Sequence, residues 1–542
     1  MMERFLMLIA FFTLMGCTPG KKITVTQLQK VEGVTAVSKN MVAPVFIREN
    51  FNPLFNVRVA ITGTEAVELS DLRIQLNAHA SENLDSLRLY LTGNTGETNF
   101  QRMTYLGMAK FDGKETGSAA APSARLSPSA AFPFNTTLYP GVYNFWVTAS
   151  VKAGSNIDQM VKVTPLSLQV NERPFAILEI NPNNGHRIGI AIRQRWDENI
   201  HTYRIPGITE TNNGTLLAVY DNRYTTSGDL PANIDVGMSR STDGGQTWEP
   251  MKVIMDMGAP HENNGIGDPA ILFDKNTNTV WVAALWSKGN NSIRDSRPGL
   301  SPDSSGQFVL VKSTDDGKTW SEPINITEQV KNPIWHLYFN GPGNGIVMED
   351  GTLVFPSQYW DENKMPHSTV IYSKDQGKTW HSGIGAKSNT TEAQVVETTP
   401  GTLMLNMRDN RGRYRSVATT TDLGKTWTEH PTSYSALIDP VCMASIIKMK
   451  TNSVDNVLFF SNVADMHARK NMTIKYSNNL GEAWNRGMLI DERNQYGYSV
   501  LTPVGEDKVG LLWEGLGNLY FIRVPVSEIR NSNSFLDRVN AD

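Results

Sequence analysis

Apolar and polar residues alternate in short runs along the first third of the chain, as in Phe55-Asn56-Val57-Arg58-Val59 and Leu87-Arg88-Leu89-Tyr90-Leu91. A period of two sends successive side chains to opposite faces, so each run reads as a strand with one face in a core. Gly, Asn and Pro separate the runs, and from about Ile23 to Pro174 the pattern predicts an antiparallel β-sandwich. Ala119 to Ala131, rich in Ala, Ser and Pro, reads as a long loop inside it. The aromatics from Tyr139 to Trp146 read as a turn leading into a core strand, with an aromatic surface for sugar as the alternative.

From about His186 an octapeptide recurs. Ser241-Thr-Asp243-Gly-Gly245-Gln-Thr247-Trp248 is followed by equivalents at Ser313–Trp320, Ser373–Trp380 and Thr420–Trp427, and by a degenerate copy at Ser477–Trp484. Ser241 and Ser477 are four repeats apart with a mean interval of 59 residues, the size of a four-stranded propeller blade with its loops. The 357 residues from His186 to Asp542 hold about six such units, and a six-bladed β-propeller is the expectation. In each octapeptide the Asp side chain can accept from nearby backbone N–H groups, Gly can take a positive φ, and Trp can pack on the blade. The boxes therefore read as structural turns, and their carboxylates as neither catalysts nor calcium ligands. An all-β chain with a sandwich at 23–180, of the type seen in carbohydrate-binding modules, and a propeller at 186–542 follows.

Composition changes this picture little, but charge narrows the partners. With 542 residues, 40% of them hydrophobic, and a net charge of -4, the chain has no broad basic field to collect nucleic acid. Any anion must be held by local arginines. The apolar run from Phe5 to Met15 is too short for an ordinary membrane span and reads as an export signal. Leu14-Met15-Gly16-Cys17 resembles the lipobox of bacterial lipoproteins, which implies removal of the leader, acylation of Cys17, and a lipid-anchored protein in the periplasm or at the cell surface. An ordinary secretory signal is the alternative. Cys442 is the only other cysteine, so a lipidated Cys17 leaves no disulfide and the domains stand on their cores.

The boxes, together with Tyr203-Arg204-Ile205-Pro206, resemble the exo-sialidases (neuraminidases) of glycoside hydrolase family 33 over the whole second half of the chain. The resemblance implies a triad of arginines on a sialic acid carboxylate. Arg204 matches the first, Arg408, downstream of Glu392-Ala-Gln394, the second, and Arg469, in Ser461-Asn462-Val463…Arg469-Lys470-Asn471, the third. Arg411, Arg413 and Arg415 crowd the loop after Arg408, and Val463 stands where the family has proline. Tyr498 in Tyr496-Gly497-Tyr498-Ser499 matches the nucleophile, with Tyr496 as rival; Glu392 matches its base, and Glu514 the support of Arg204. Asp229 resembles the acid/base aspartate and Arg223 the arginine beside the sugar's C4, while Asp268 and Gln358 fall on pocket segments.

The chemistry suits these residue types. A sialoside carries a carboxylate on its anomeric carbon, so guanidiniums with paired, permanent charge suit the clamp. An anionic nucleophile would be repelled there, whereas a neutral phenol beside a base would not; sialidases with a tyrosine nucleophile depart from the two-carboxylate pattern of most glycosidases. The implied activity is retaining hydrolysis of terminal sialic acid from glycoproteins, glycolipids or oligosaccharides, by a monomer with no metal or organic cofactor. A trans-sialidase and a sialic-acid lectin remain open alternatives. Taken singly, each arginine reads first as a solvated surface charge, while Asp229 could start a turn, Glu392 cap one, and Tyr498 be a core aromatic.

Overall fold

A computed structural model describes residues 31–93, 102–110, 128–182, 185–289, 291, 293–451 and 457–532. Cys17 and the leader lie outside these residues, as do residues 119–127 of the stretch expected to be a loop. Its last three residues open the strand Ser129–Leu138.

The alternating runs of the first third form two facing sheets. One sets Val34–Asn40, Asn52–Ile61, Gly141–Val151 and Leu84–Thr92 side by side in antiparallel pairs. The other runs Arg173–Ala176, Val163–Val170, Val67–Leu76, Ser129–Leu138. Leu69 and Leu72 both enter the core although three positions apart, because Asp71 at φ 48° forms a bulge that resets the alternation. Phe145 and Trp146 are buried within Gly141–Val151, as the turn-and-strand reading requires. The antiparallel expectation fails in three places. Val34–Asn40 pairs in parallel with Leu178–Asn181, Val45–Ile47 pairs in parallel with His186–Arg193, and Ile47 also pairs in parallel with Val151 of Gly141–Val151. None of these parallel pairings has a local turn to announce it, so no short-range pattern could reveal them.

The second pairing joins the two halves of the chain. His186–Arg193 is buried throughout, and its other edge pairs antiparallel with Leu519–Pro525. One continuous sheet therefore runs from the sandwich into the last propeller sheet. Gly189 permits this, since a Cβ there would lie 2.7 Å from Ile522 Cγ2. Phe46 stacks on Tyr520 with ring centroids 4.0 Å apart.

The propeller sheets follow one another around a ring, each opened by an inner strand. These are Thr202–Glu210, Asn264–Asp274, Leu337–Asn340, Thr390–Thr399, Ser445–Met449 and Ser499–Val504. Thr202–Glu210 touches both Asn264–Asp274 and Ser499–Val504, which closes the ring.

The octapeptides are the turns after the third strand of a sheet. In the first, Thr247 N and Oγ1 donate to the Asp243 carboxylate, Ser241 Oγ donates to it at 2.8 Å, and Gly245 N donates to Ser241 Oγ at 2.9 Å. The degenerate copy keeps the pattern with Asn479, which accepts from Ser477 Oγ and Ala483 N. Hydrogen bonds from Thr379 hold the Asp375 carboxyl down at about 2. Ser241 pairs with Leu216, at the end of its sheet opposite the Ile234–Arg223 pair, so the box carboxylates sit away from the arginines of the site.

Gly245 has φ 87°, and a Cβ there would come within 2.1 Å of the Phe521 ring, on whose face Trp248 stands edge-on. Gly245→Ala should lower stability by about 1–3 kcal/mol through left-handed strain and overpacking, seen as a lower Tm in a thermal melt. An unchanged Tm would mean that Phe521 moves aside without cost.

Candidate active site

Arg204 owes its position to the proline two residues later. Pro206 cannot donate to the ladder, the pairing with Leu216–Arg223 slips between Arg204 and Gly207, and Ile205 adopts φ 55°. The Ile205 N–H, freed from the ladder, donates to Glu514 Oε1 at 2.8 Å. Glu514 ends the strand Lys508–Glu514 and is fully buried. It accepts Arg204 Nε and Nη2 at 3.0 Å each, and the Tyr498 N–H at 3.1 Å. One carboxylate thus fixes the first arginine and the backbone of the tyrosine together.

Tyr498 precedes the inner strand Ser499–Val504, and its hydroxyl donates to Glu392 Oε1. Arg408, on Thr402–Asp409, bridges the pair. Its Nη1 lies 2.6 Å from Glu392 Oε2 and 3.0 Å from the Tyr498 hydroxyl, and its Nε is buried without a hydrogen-bond partner among the described residues. Arg469 donates to the carbonyls of Tyr496 and Val441, both at 3.0 Å. Those acceptors are neutral, so the charge of Arg469 stays available to an anion. The Arg204 guanidinium lies 4.8 Å from the Tyr496 ring centroid and 5.2 Å from that of Tyr498, and Arg469 lies 5.8 Å from the latter.

Electrostatics set the protons on this cluster. Burial pushes Glu392 upward, but the Arg408 charge and the Tyr498 hydrogen bond outweigh it and leave the carboxyl below its ordinary range. Burial, reinforced by the Glu392 charge, drives the Tyr498 phenol well above its ordinary value. Near neutral pH the pair is therefore a carboxylate and a neutral phenol already donating to it. That is the protonation pattern that a phenol nucleophile with a carboxylate base would require.

Arg223 and Asp229 lie on the first sheet's second strand and the loop that follows. Arg223 is buried, and its Nη2 reaches Asp229 Oδ1 at 3.2 Å, while Asp229 is 53% exposed. Asp268 is buried at φ 56°. Gln358 is also buried, and its Nε2 donates to the Asn340 carbonyl at 3.3 Å; Asn340 Nδ2 in turn donates to the Asp268 carbonyl at 2.6 Å. Gln358 thus meets the rest of the site through Asn340.

The structure brings Arg204, Arg408, Arg469, Glu392, Tyr498 and Glu514 into one cluster, and Arg223, Asp229 and Asp268 into a second. Of the two rival tyrosines, Tyr498 bonds to Glu392, whereas Tyr496 lies under Arg204 and offers its carbonyl to Arg469. Of the crowded arginines, Arg411 pairs with Asp409, and Arg415 is fully buried against Asn406, the Cys442 carbonyl and Asp439. Sequence reasoning missed Asp221 and Asn340. For Asp221 a signal existed, because a period of two places it on the strand face of Arg223.

Known proteins match this chain in sequence and in structure. Residues 213–511 match the model of a BNR repeat-like domain, and residues 34–174 match that of the N-terminal domain of BNR-repeat neuraminidase. A sialidase of Bacteroides fragilis is 42% identical over 517 residues, 90% of this chain and 94% of that protein. A sialidase of Micromonospora viridifaciens is 33% identical over 337 residues, which span 60% of this chain and 51% of its own. The solved structure of Hadza microbial sialidase Hz136 superposes with a TM-score of 0.83 at 36% identity, covering 91% of this chain and 99% of that one.

Proposed function

The chain belongs to the BNR-repeat sialidase family, and from that premise we propose a retaining exo-α-sialidase that cleaves terminal sialic acid from glycans through a covalent sialyl-tyrosine. The observation that carries this reading is the Tyr498–Glu392–Arg408 cluster, a phenol already hydrogen-bonded to a carboxylate and bordered by guanidiniums.

Arg204, Arg408 and Arg469 hold the sugar carboxylate, and their fixed charge suits planar anion recognition. The Tyr498 oxygen bonds to the anomeric carbon as its proton passes to Glu392. The glycosidic C–O bond breaks, and the departing oxygen takes a proton from Asp229. Water then attacks the same carbon and gives its proton to Asp229, while Tyr498 leaves and recovers its proton from Glu392. Two inversions give net retention. Glycoproteins, glycolipids and oligosaccharides are the proposed substrates. Export and a lipid anchor on Cys17 are proposed on the apolar run and the Leu14–Cys17 motif.

Asp229→Ala tests the acid and the class of reaction together. It should lower kcat/KM on a natural sialyl-lactose by about 10²-fold or more, and on an aryl sialoside, whose leaving group needs little protonation, by much less. NMR of the wild-type reaction should show the α-anomer of sialic acid first. Initial release of the β-anomer would overturn retention, and binding without cleavage would leave a lectin.

A further inference from the structure

Asp221 belongs to neither the arginine cluster nor the catalytic pair, yet it is among the most heavily engaged side chains near the site. Its Oδ2 accepts Arg223 Nε at 3.1 Å and Nη2 at 2.8 Å. Its Oδ1 accepts the N–H of Asp268 at 2.9 Å. Asp221 is 1% exposed, and Gly267 is bare beside it, since a Cβ there would lie 2.9 Å from Asp221 Oδ1.

The same device occurs one sheet away. In Arg204-Ile205-Pro206 a left-handed residue before proline leaves the ladder, and a buried Glu514 takes its N–H and the Nε/Nη2 edge of an arginine. In Gly267-Asp268-Pro269 the register slips between Gly267 and Ala270, Asp268 is left-handed, and a buried Asp221 takes its N–H and the fork of Arg223. Glu514 serves the carboxylate clamp. Asp221 occupies the corresponding place beside the proton donor, because Arg223 also holds Asp229 Oδ1 at 3.2 Å and is pinned by the Ser227 and Gly228 carbonyls of the same loop.

We propose that Asp221 is the positioning residue of the proton-transfer apparatus, holding Arg223, and through it Asp229, in register with Asp268. The inference rests on the sialidase reading above. Carboxylate oxygens of Asp221, Asp229 and Asp268 lie within 4.8 Å of one another around the Arg223 guanidinium, with Arg204 and Glu392 as the other charges felt by the group. Three carboxylates this close to one guanidinium do not all ionise together. Burial, then the charges of Asp229 and Asp221, pushes Asp268 well above the ordinary range; burial, partly offset by Arg223, lifts Asp221 to about 6. Both shifts favour the protonated form of a carboxyl in the cluster. Asp221→Asn removes one negative charge, which favours ionisation of the carboxylates that remain, so the cluster loses its proton at a lower pH. The amide also cannot accept from both Arg223 and Asp268 as the carboxylate does.

Kinetics of the full chain with sialyl-lactose and with an aryl sialoside, each across pH, test this. Asp221→Asn should lose about 10²-fold in kcat/KM on sialyl-lactose and under about tenfold on the aryl sialoside, with the alkaline limb on sialyl-lactose moved down by roughly one pH unit. Equal loss on both substrates with an unmoved profile would overturn the proposal and leave Asp221 as a fold residue. Should the variant not fold, Arg223→Lys decides, because it keeps the charge but loses the fork; the same substrate split supports the proposal and equal loss overturns it. Wild type inactive on both substrates would instead defeat the sialidase reading.

Discussion

Tyr498→Phe is expected to lower kcat on an aryl sialoside by about 10³-fold or more, as for removal of a nucleophile that acts as a unit with its base, while the fold survives. The change deletes one oxygen. Glu392 keeps Arg408 at 2.6 Å, so the half-buried carboxylate is not left without a partner, and the Tyr498 backbone keeps its bond to Glu514. The cost is the hydroxyl's bonds to Glu392 and Arg408, about 1–3 kcal/mol, so circular dichroism and a melt should show a folded protein. Tyr496→Phe, which keeps a ring under Arg204, is the control and should retain most of the rate. A Tyr498→Phe enzyme within tenfold of wild type would remove the phenol from the mechanism.

The pH dependence of the wild type follows from the same cluster. In the proposed mechanism Glu392 must be ionised to accept the proton, and its depressed folded value keeps it so below the usual carboxylate range. Its contribution to stability has the matching sign, present above the unfolded value and lost as pH falls through the folded one.

Removal of the N-terminal part is expected to have the largest effect on stability. A chain beginning at residue 175 loses Val45–Ile47 from one edge of His186–Arg193 and leaves Ile188, Ile190 and Tyr520 uncovered. The sandwich and the last propeller sheet share one hydrophobic core, with Phe46 packed among Trp513 and Tyr520 and Arg493 over its ring. Such a chain should not reach a folded, active state. Phe46→Ala in the full chain gives a graded version, at about 3–5 kcal/mol for a fully buried Phe. Calorimetry should show one transition for both halves, lowered as a whole by Phe46→Ala. Two transitions, with the propeller's unmoved, or a truncated chain that hydrolyses an aryl sialoside, would refute the shared core. Trp513 precedes Glu514, so activity should fall along with stability.

What could be read from the sequence was what eight or ten neighbouring residues decide. The octapeptide turns were legible because Asp243 accepts from Ser241 and Thr247 while Gly245 donates to Ser241, bonds that all lie within the eight residues. Strand alternation was legible for the same reason, except where Asp71 inserts a bulge. Pro206 marked the break in its strand, although not the buried acceptor of the freed N–H. The candidate site was legible as a set of residues only through resemblance, since Arg204 alone reads as a surface charge. Asp221 escaped because a carboxylate two residues from an arginine is unremarkable until burial makes it the partner of Asp268 as well.

The sequence by itself determined the strands, their turns and the repeat that orders them, because backbone geometry and turn hydrogen bonds act over a few residues. Tertiary structure alone decided that Glu514 faces Arg204 from 310 positions away and that Glu392 meets Tyr498 from 106. It also decided that the sandwich continues into the propeller through Val45–Ile47. Those contacts depend on closure of the ring and on a parallel pairing with no connecting turn. Burial there removes water from charged groups, and that desolvation converts a scattered set of arginines and acids into a site with defined protons.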